Sequence, residues 1–198
     1  QTFKEAALAA GPHLGGALHL SVAAGITSES MAAWLGTQRI VRAMPNTPAL
    51  VGLGMTGLFA REGVSTPDRA LVESVVGTTG ERVWVPTERD LNAVTALSGS
   101  GPAYVFYFME AMCDAGAKMG LPPETALQLA IGTFVGASTL AQRSTEPPQV
   151  LRERVTSKGG TTYAALTSME ASGMKAKFEE ALFAAQQRAE ALGQEFGK

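Results

Sequence analysis

The sequence has few of the residues that build metal sites, disulfides or nucleic-acid-binding surfaces. It contains one cysteine, Cys113, so no internal disulfide is possible and a reducing compartment is expected. The two histidines, His13 and His19, have no acidic or cysteine neighbours along the chain, which argues against a metal site. Lysine and arginine form no run and the net charge is -2, so nucleic acid is not expected as a partner.

Long hydrophobic runs are also missing. The most apolar stretch, residues 103–113, is shorter than a membrane-spanning helix and contains Glu110. The chain opens with Gln1 and has neither a basic leader nor an apolar signal core, so we expect a cytoplasmic protein and further sequence upstream. Hydrophobic residues nevertheless make up 45% of the chain and charged residues 17%, a surplus of apolar surface that predicts burial against a second copy.

Up to about residue 89, strand-like and helix-like segments alternate, which is the pattern of an α/β sheet. Short apolar runs bounded by glycine and proline predict strands at residues 17–23, 39–44, 54–60 and 82–85. Helical spacing and cap residues predict helices at residues 2–10, at about 28–35 and from residue 67 onward. The third helix has Thr66 as its predicted N-cap and Pro67 at its first position.

After residue 90 only helical patterns remain. The predicted helices cover residues 91–97, 103–119, 124–142, 149–155, 162–171 and 175–192, the last ending at Gly193. The helix at 103–119 is apolar nearly all round, which predicts burial on all sides. The fold class is therefore α/β plus all-α, with domains at residues 1–89 and 90–198.

Two segments that follow predicted strands carry small and polar residues. Ala23-Ala24-Gly25 would let a flat ring or a phosphate approach the backbone, although a strand end that needs a tight turn has the same composition. The segment from Met44 to Pro48 places Asn46 and Thr47 between two prolines, at the sheet edge where α/β proteins bind ligands. A rigid turn without a ligand is the alternative there.

A third segment, Ser157-Lys158-Gly159-Gly160-Thr161-Thr162, stands just before a helix. Free N–H groups and the positive end of the helix dipole make such a helix start suitable for an anion. Two glycines let the backbone come close to a small carboxylate, and the hydroxyl groups add donors. A glycine-rich linker with a threonine cap explains the same residues.

Other candidates indicate packing. The run Ser98–Gly101 matches neither a P-loop nor a nucleophile elbow. Cys113 lies inside a helix of core character and is interpreted as packing. Gly132 and Gly136 are four residues apart in a predicted helix, a spacing that lets another helix come close.

Three motifs together resemble the pyrroline-5-carboxylate reductase family. They are residues 41–48 (VRAMPNTP), 96–104 (ALSGSGPAY) and 155–162 (VTSKGGTT), and their order and spacing agree as well as their residues. The resemblance covers essentially the whole chain. It implies the C-terminal part of a Rossmann-type domain that binds NADPH or NADH, followed by a helical dimerisation domain that joins a second subunit.

The resemblance also implies an activity and site residues. The activity is the reduction of 1-pyrroline-5-carboxylate, a cyclic imine, to L-proline, the last step of proline biosynthesis. The implied cofactor-binding residues are Ala23, Ala24, Gly25, Met44, Pro45, Asn46 and Thr47. The implied substrate-binding residues are Ser98, Gly99, Ser157, Gly159, Gly160, Thr161 and Thr162. Thr162 is also the implied catalytic residue, beside the imine nitrogen, and no metal is involved.

One departure leaves alternatives open. The family begins with a strand and a G-x-G-x-x-G turn that holds the cofactor pyrophosphate, and this sequence contains no such turn. A non-catalytic, truncated helical dimerisation module is therefore the alternative function. A β-hydroxyacid dehydrogenase is less favoured, because its catalytic lysine follows a glycine-rich segment closely, whereas Lys118 lies near the far end of its helix.

Overall fold

The computed structural model describes residues 2–196, in which one four-stranded sheet and a series of helices are formed. The strands are β1 (His19–Ser21), β2 (Ile40–Met44), β3 (Gly54–Ala60) and β4 (Gly80–Trp84). The helices are α1 (Thr2–Ala10), α2 (Ser28–Leu35), α3 (Thr66–Val76), α4 (Asp90–Val94), α5 (Gly101–Lys118), α6 (Pro123–Arg143), α7 (Pro148–Arg154), α8 (Thr161–Ala171) and α9 (Met174–Phe196). Short 3₁₀ helices cover Gly11–His13 and Thr47–Val51, and a π-helical segment covers Thr95–Gly99.

The chain divides into two compact units. The first unit runs to Pro102 and includes the residues from Ala181 onward, and the second unit is Ala103–Glu180. The predicted domain boundary between residues 89 and 90 stays a prediction.

The sheet is mixed, in the order β1-β2-β3-β4. The β1–β2 and β3–β4 pairs are parallel, and helices α2 and α3 provide their crossovers. Strand β3 is antiparallel to β2, because the link formed by residues 45–53 is too short for a crossover helix. All four predicted strands are confirmed, but β1 is limited to the three residues that pair with β2.

Each face of the sheet packs on its own helices, as the alternation of side chains along a strand requires. On one face, Val41 and Leu58 pack with Val72 of α3. On the other face, Ile40 packs with Met31 of α2. This second face also holds Val94 of α4, since a Cβ atom on Gly57 would lie 2.6 Å from its methyl group.

Helix α2 begins and ends where the sequence predicts. The Thr27 side chain accepts a hydrogen bond from the Ser30 amide at 3.1 Å, and Gly36 ends the helix with a φ of 70°. The Met31 amide then donates to the Thr27 carbonyl, which is the first backbone hydrogen bond of the helix.

The prediction of Thr66 as the N-cap of α3 is wrong, because Ser65 holds that position. The Ser65 hydroxyl accepts from the Asp68 amide, and the Asp68 carboxylate accepts from the Ser65 amide at 3.0 Å. This reciprocal capping box requires the hydroxyl residue to stand three residues before the acid, which excludes Thr66. Asp68 also accepts from Arg39 at 2.6 Å, and this hydrogen bond and ion pair hold the pKa of the Asp68 carboxyl well below its ordinary value.

The second unit consists of helices with many exposed apolar side chains. In the single chain α5 is not surrounded, since Phe106 is 57% exposed and Tyr107 is 69% exposed. Its burial on all sides, with a partner copy, stays a prediction. An aromatic cluster nevertheless forms inside the unit, where Phe178 contacts Tyr104 and Phe108 edge to face.

Helix α9 continues past Gly193, so the predicted end at that residue is wrong. Gly193 does not take the left-handed conformation that ends a helix. A glycine inside a helix costs about 1 kcal/mol relative to alanine but does not interrupt the hydrogen bonds. The Arg188–Glu195 ion pair at 2.7 Å spans this position.

Within residues 2–196, every helix is too short or too polar to cross a membrane.

Candidate functional site

The turn after β1 is held from two sides. The Ala23 amide donates to the Ser21 hydroxyl at 3.2 Å, and Arg42 donates to the Ala23 carbonyl at 3.4 Å. Gly25 has a φ of 74°, and a Cβ atom on it would lie 3.2 Å from the Leu192 carbonyl oxygen of α9. The glycine is therefore needed both for the backbone conformation and for the close approach of α9. Whether Ala23, Ala24 and Gly25 also contact a cofactor stays a prediction.

The segment after β2 is rigid and linked to two neighbours. Met44 is buried at the end of the strand, and Pro45 and Asn46 are half-buried. Thr47 is exposed and begins the 3₁₀ helix. The Asn46 side chain accepts a hydrogen bond from the Met55 amide at 2.9 Å and donates one to the Ser98 hydroxyl at 3.2 Å.

Ser98 and Gly99 lie in the π-helical segment Thr95–Gly99, where the Ser100 amide donates to the Thr95 carbonyl at 2.8 Å. Such widened turns are frequent at functional sites. A Cβ atom on Gly99 would lie 3.5 Å from the Met44 sulfur. The structure therefore brings two of the sequence-predicted segments together, the one after β2 and the one before α5.

An ionic network that the sequence patterns did not predict lies beside the turn after β1. Glu88 accepts hydrogen bonds from the Ser28 amide and hydroxyl, both at 2.6 Å, and from Arg42 at 2.9 Å. The signal was present in the sequence as Arg42 within the otherwise apolar run RIVRAM, since a charged residue in a buried strand requires a partner. The network joins β2, α2 and the segment before α4.

A cleft of about 500 Å³ adjoins this network. Its walls include Gly25 and Thr27, the Arg42–Glu88 pair, and Gly193 of α9. The residues that line it do not include the Met44–Thr47 segment or Ser98. Arg42 pairs with Glu88 and Arg89 pairs with Glu190, so the cleft has no excess of positive charge that would favour the binding of a phosphate.

The glycine-rich segment lies in the second unit, between α7 and α8. Gly159 has a φ of 76°, and Gly160 is the extended N-cap residue of α8 with no side-chain cap hydrogen bond. A Cβ atom on Gly160 would lie 2.6 Å from the Ser157 hydroxyl oxygen. The left-handed conformation therefore favours glycine at Gly159, whereas a side chain at Gly160 would displace the Ser157 hydroxyl and lie 3.1 Å from its carbonyl oxygen. Ser157 and Thr161 are exposed and Thr162 is half-buried at the helix start.

This helix start can receive an anion. The first amide groups of an α-helix have no partner inside the helix, and α8 lacks the side-chain cap that would use one. Within residues 2–196, no three His, Cys, Asp or Glu side chains cluster in a way that would hold a metal ion.

Comparisons with known proteins identify a family for this chain. Residues 88–192 match the model of the pyrroline-5-carboxylate reductase dimerisation family. The chain is 47% identical over 182 residues to a pyrroline-5-carboxylate reductase of Pseudomonas aeruginosa, which covers 91% of this chain and 67% of the relative. Across the curated relatives that it matches, the chain spans about two thirds of their length.

Solved structures agree with the sequence match. A pyrroline-5-carboxylate reductase from Coxiella burnetii superimposes with a TM-score of 0.91 at 40% identity, covering 96% of this chain and 72% of that one. The Plasmodium falciparum pyrroline carboxylate reductase, solved with NADP bound, gives a TM-score of 0.88 at 32% identity, covering 96% and 77%. The fold is thus the later part of a Rossmann-like domain with a helical dimerisation domain. The chain belongs to the pyrroline-5-carboxylate reductase family.

Proposed function

We propose that this protein reduces 1-pyrroline-5-carboxylate to L-proline with NADPH or NADH. The cofactor supplies a hydride to the imine carbon, and the ring nitrogen keeps a proton to become the amine of proline. A protonated imine accepts a hydride more readily than a neutral one. The protein's task is then to align the ring and to supply a hydrogen bond at the nitrogen.

The observation that carries this proposal is the uncapped start of α8. Gly159 and Gly160 lead directly into the first amides of the helix, and no side chain makes a cap hydrogen bond there. A carboxylate fits there because free N–H groups and the helix dipole both favour negative charge. Ser157, Thr161 and Thr162 add hydroxyl donors around the same loop.

The segment after β2 has the chemistry that a nicotinamide requires. A nicotinamide is a flat, largely apolar ring with one carboxamide group. Buried Met44 and half-buried Pro45 offer apolar contact, and the exposed Thr47 offers a hydroxyl. The backbone of Ala23-Ala24-Gly25 would hold the neighbouring part of the cofactor, because small side chains let a flat ring or a phosphate come close to the backbone.

Thr162 is assigned to the imine nitrogen. It lies in the first turn of α8, one residue beyond the predicted carboxylate donors, and it is half-buried. A carboxylate bound at the helix start would therefore have its ring beside this hydroxyl. The hydroxyl can accept from a protonated imine and donate to the amine that forms.

A second copy of the chain is proposed as the partner. Helices α5 and α6 expose large apolar side chains that a monomer would leave in water, and these side chains are Phe106, Tyr107, Leu129, Val135 and Leu140. The match of residues 88–192 to a dimerisation family supports the same partner. The cytoplasm is proposed as the location, because Cys113 is a free thiol.

The experiment is an assay of the protein at its full natural length. Consumption of NADPH or NADH is followed by absorbance after addition of 1-pyrroline-5-carboxylate, and L-proline is identified as the product. We expect turnover with a kcat on the order of 1–10³ s⁻¹. Absence of turnover with both cofactors would contradict the proposal and favour a non-catalytic dimerisation module.

Thr162→Ala tests the assigned residue. We expect kcat to fall about tenfold or more, while Thr162→Ser keeps the hydroxyl and most of the activity. If Thr162→Ala has wild-type kinetics, Thr162 has no part in the mechanism.

A further inference from the structure

Helix α8, whose start is the proposed carboxylate site, is weakly stabilised inside a single chain. None of its 11 residues, all of which belong to the described part of the chain, is buried. Three of them are threonines, which have low helix propensity, and the helix start has no side-chain cap. Isolated helices shorter than about 12–15 residues are marginal in water, and packing of an apolar face stabilises most helices in proteins. Helix α8 therefore needs a further surface to pack against.

One face of α8 is apolar and borders a cavity. Leu166 and Met169 share this face, and Thr162 lies one turn before Leu166 on the same side. The cavity has a volume of about 290 Å³. Its other apolar lining residues, from α5 and α9, are Phe108, Met174 and Phe178. Met169 is nevertheless 43% exposed, so the chain leaves open an apolar surface on the helix that carries the residue assigned to the imine nitrogen.

A second copy of the chain is the occupant that these observations favour. Every residue that lines the cavity lies within residues 88–192, the range that matches the dimerisation family. The charged residues that line it are of both signs, namely Arg152, Glu170 and Lys175. A two-fold interface places one surface against itself, so cations and anions must occur on it together. A strongly charged partner would instead require an excess of one sign.

We propose that a second copy covers the apolar face of α8 formed by Leu166 and Met169, and that this contact orders the helix start that binds the substrate carboxylate. The inference rests on the proposed function, because it takes the start of α8 as the carboxylate site. A ligand that binds only the ordered helix stabilises that state. The coupling is therefore reciprocal: association strengthens substrate binding, and a ligand with the same carboxylate strengthens association.

Met169→Lys tests the covered face in the protein at its full natural length. In a single chain a lysine at this partly exposed position can keep its charge in water, whereas a partner packed on it would bury the charge. The dissociation constant, measured by sedimentation of fluorescently labelled protein, should rise about tenfold or more. Ser168→Lys is the matched control, because Ser168 is exposed on the opposite side of α8, and it should leave association unchanged. An unchanged dissociation constant for Met169→Lys would overturn the proposal.

Hydrogen exchange of the α8 amides measures the ordering without using activity. Both proteins are compared at one concentration between their dissociation constants, where wild type is associated and Met169→Lys is not. The amides of residues 165–171 should exchange at least about tenfold more slowly in wild type. The amides of residues 70–76 in α3 should exchange equally in both, which reports an intact fold. If α8 is equally protected in the dissociated protein, its cover belongs to the same chain, and the proposal is overturned.

Kinetics at that same concentration test the coupling to substrate. For Met169→Lys, kcat/KM for 1-pyrroline-5-carboxylate should be about tenfold or more below wild type, because few molecules have an ordered site. It should recover when the variant is concentrated above its dissociation constant, which a directly damaged site would not do. L-Proline, as the bound product, should lower the dissociation constant of the variant.

The outcomes separate the two proposals. A wild-type protein that does not reduce 1-pyrroline-5-carboxylate with NADPH or NADH contradicts the proposed function, while the sedimentation and hydrogen-exchange results still decide whether a second copy covers α8. Wild-type turnover together with equal kcat/KM in the associated and dissociated proteins overturns the coupling proposed here.

Discussion

The Arg42 guanidinium lies 2.9 Å from a Glu88 carboxylate oxygen, and both side chains are largely buried. The same carboxylate receives the Ser28 amide and hydroxyl at the start of α2. One acidic side chain therefore joins a strand, a helix start and the segment that leads into α4. Arg42 also donates a hydrogen bond to the Ala23 carbonyl, so the network stabilises the turn after β1.

Replacing Glu88 by alanine should destabilise the first unit. Ser28 is 1% exposed, so its two donors would lose their acceptor without access to water, and Arg42 would lose its counter-charge. We expect a loss of about 2–4 kcal/mol in the free energy of unfolding, measured by urea denaturation at fixed protein concentration.

Glu81→Ala is the matched control, because Glu81 is exposed on β4. Its effect should stay within about 0.5 kcal/mol. Equal effects of the two substitutions would mean that the Glu88 network contributes nothing measurable.

The order of strands and helices could be predicted from sequence because local residues mark the ends of elements. Gly36 ends α2 by its left-handed conformation, and Pro45 limits β2, and both are read directly from the sequence. Ser65 was missed because Thr66 is also an acceptable cap residue. The deciding partner was Asp68, three residues beyond Ser65.

The long-range contacts could not be predicted in the same way. Ser28 and Glu88 are 60 residues apart, and Asn46 and Ser98 are 52 apart. A single sequence gives the type of each side chain but not which distant partner it meets. The position of Asn46 after a strand predicted a ligand-binding segment, and the family resemblance implied the same for Ser98, while their mutual hydrogen bond required the fold.

The Arg39–Asp68 pair should make stability depend on pH in the acid range. Arg39 and the Ser65 cap lower the pKa of Asp68 in the folded state from the ordinary value of 3.8. A lowered folded-state pKa gives stability that is present above 3.8 and is lost as pH falls toward the folded-state pKa. Asp68→Asn should therefore be less stable than wild type at about pH 7, with the difference shrinking by about pH 3.

Thermal unfolding across this pH range provides the measurement. Asp114→Asn, an exposed acid on α5, provides the control and should show no such convergence. A constant difference between wild type and Asp68→Asn at all pH values would contradict the coupling.

The start of the β3–β4 pair has no room for a side chain at Gly80. This residue has a φ of 144°, and a Cβ atom on it would overlap the backbone of Gly54, its partner in the parallel register. Gly80→Ala should cost about 3 kcal/mol or more in chemical denaturation, because both the backbone angle and the contact are violated.

Gly36→Ala separates these two causes. Gly36 also has a positive φ, but a Cβ atom there would meet nothing within 4 Å. Its cost should be limited to about 1–2 kcal/mol for the left-handed conformation. If Gly80→Ala lowers the free energy of unfolding no more than Gly36→Ala does, the close contact between Gly80 and Gly54 adds no cost of its own.

Gly136 on α6 should matter for association more than for folding of the chain itself. Gly132 and Gly136 lie on one side of the helix, a Cβ atom on either would meet nothing within 4 Å, and Leu129 and Leu140 are exposed beside them. In an isolated helix each glycine costs about 0.5–1 kcal/mol relative to alanine, so their presence fits a surface that another helix approaches closely. Gly136→Leu should therefore raise the dissociation constant of the oligomer about tenfold or more in sedimentation experiments.

Ser74→Leu adds the same side chain to an exposed position of α3 and should leave association unchanged. If Gly136→Leu associates as tightly as wild type, the partner does not approach this side of α6, and the proposed interface must lie elsewhere on the helical unit.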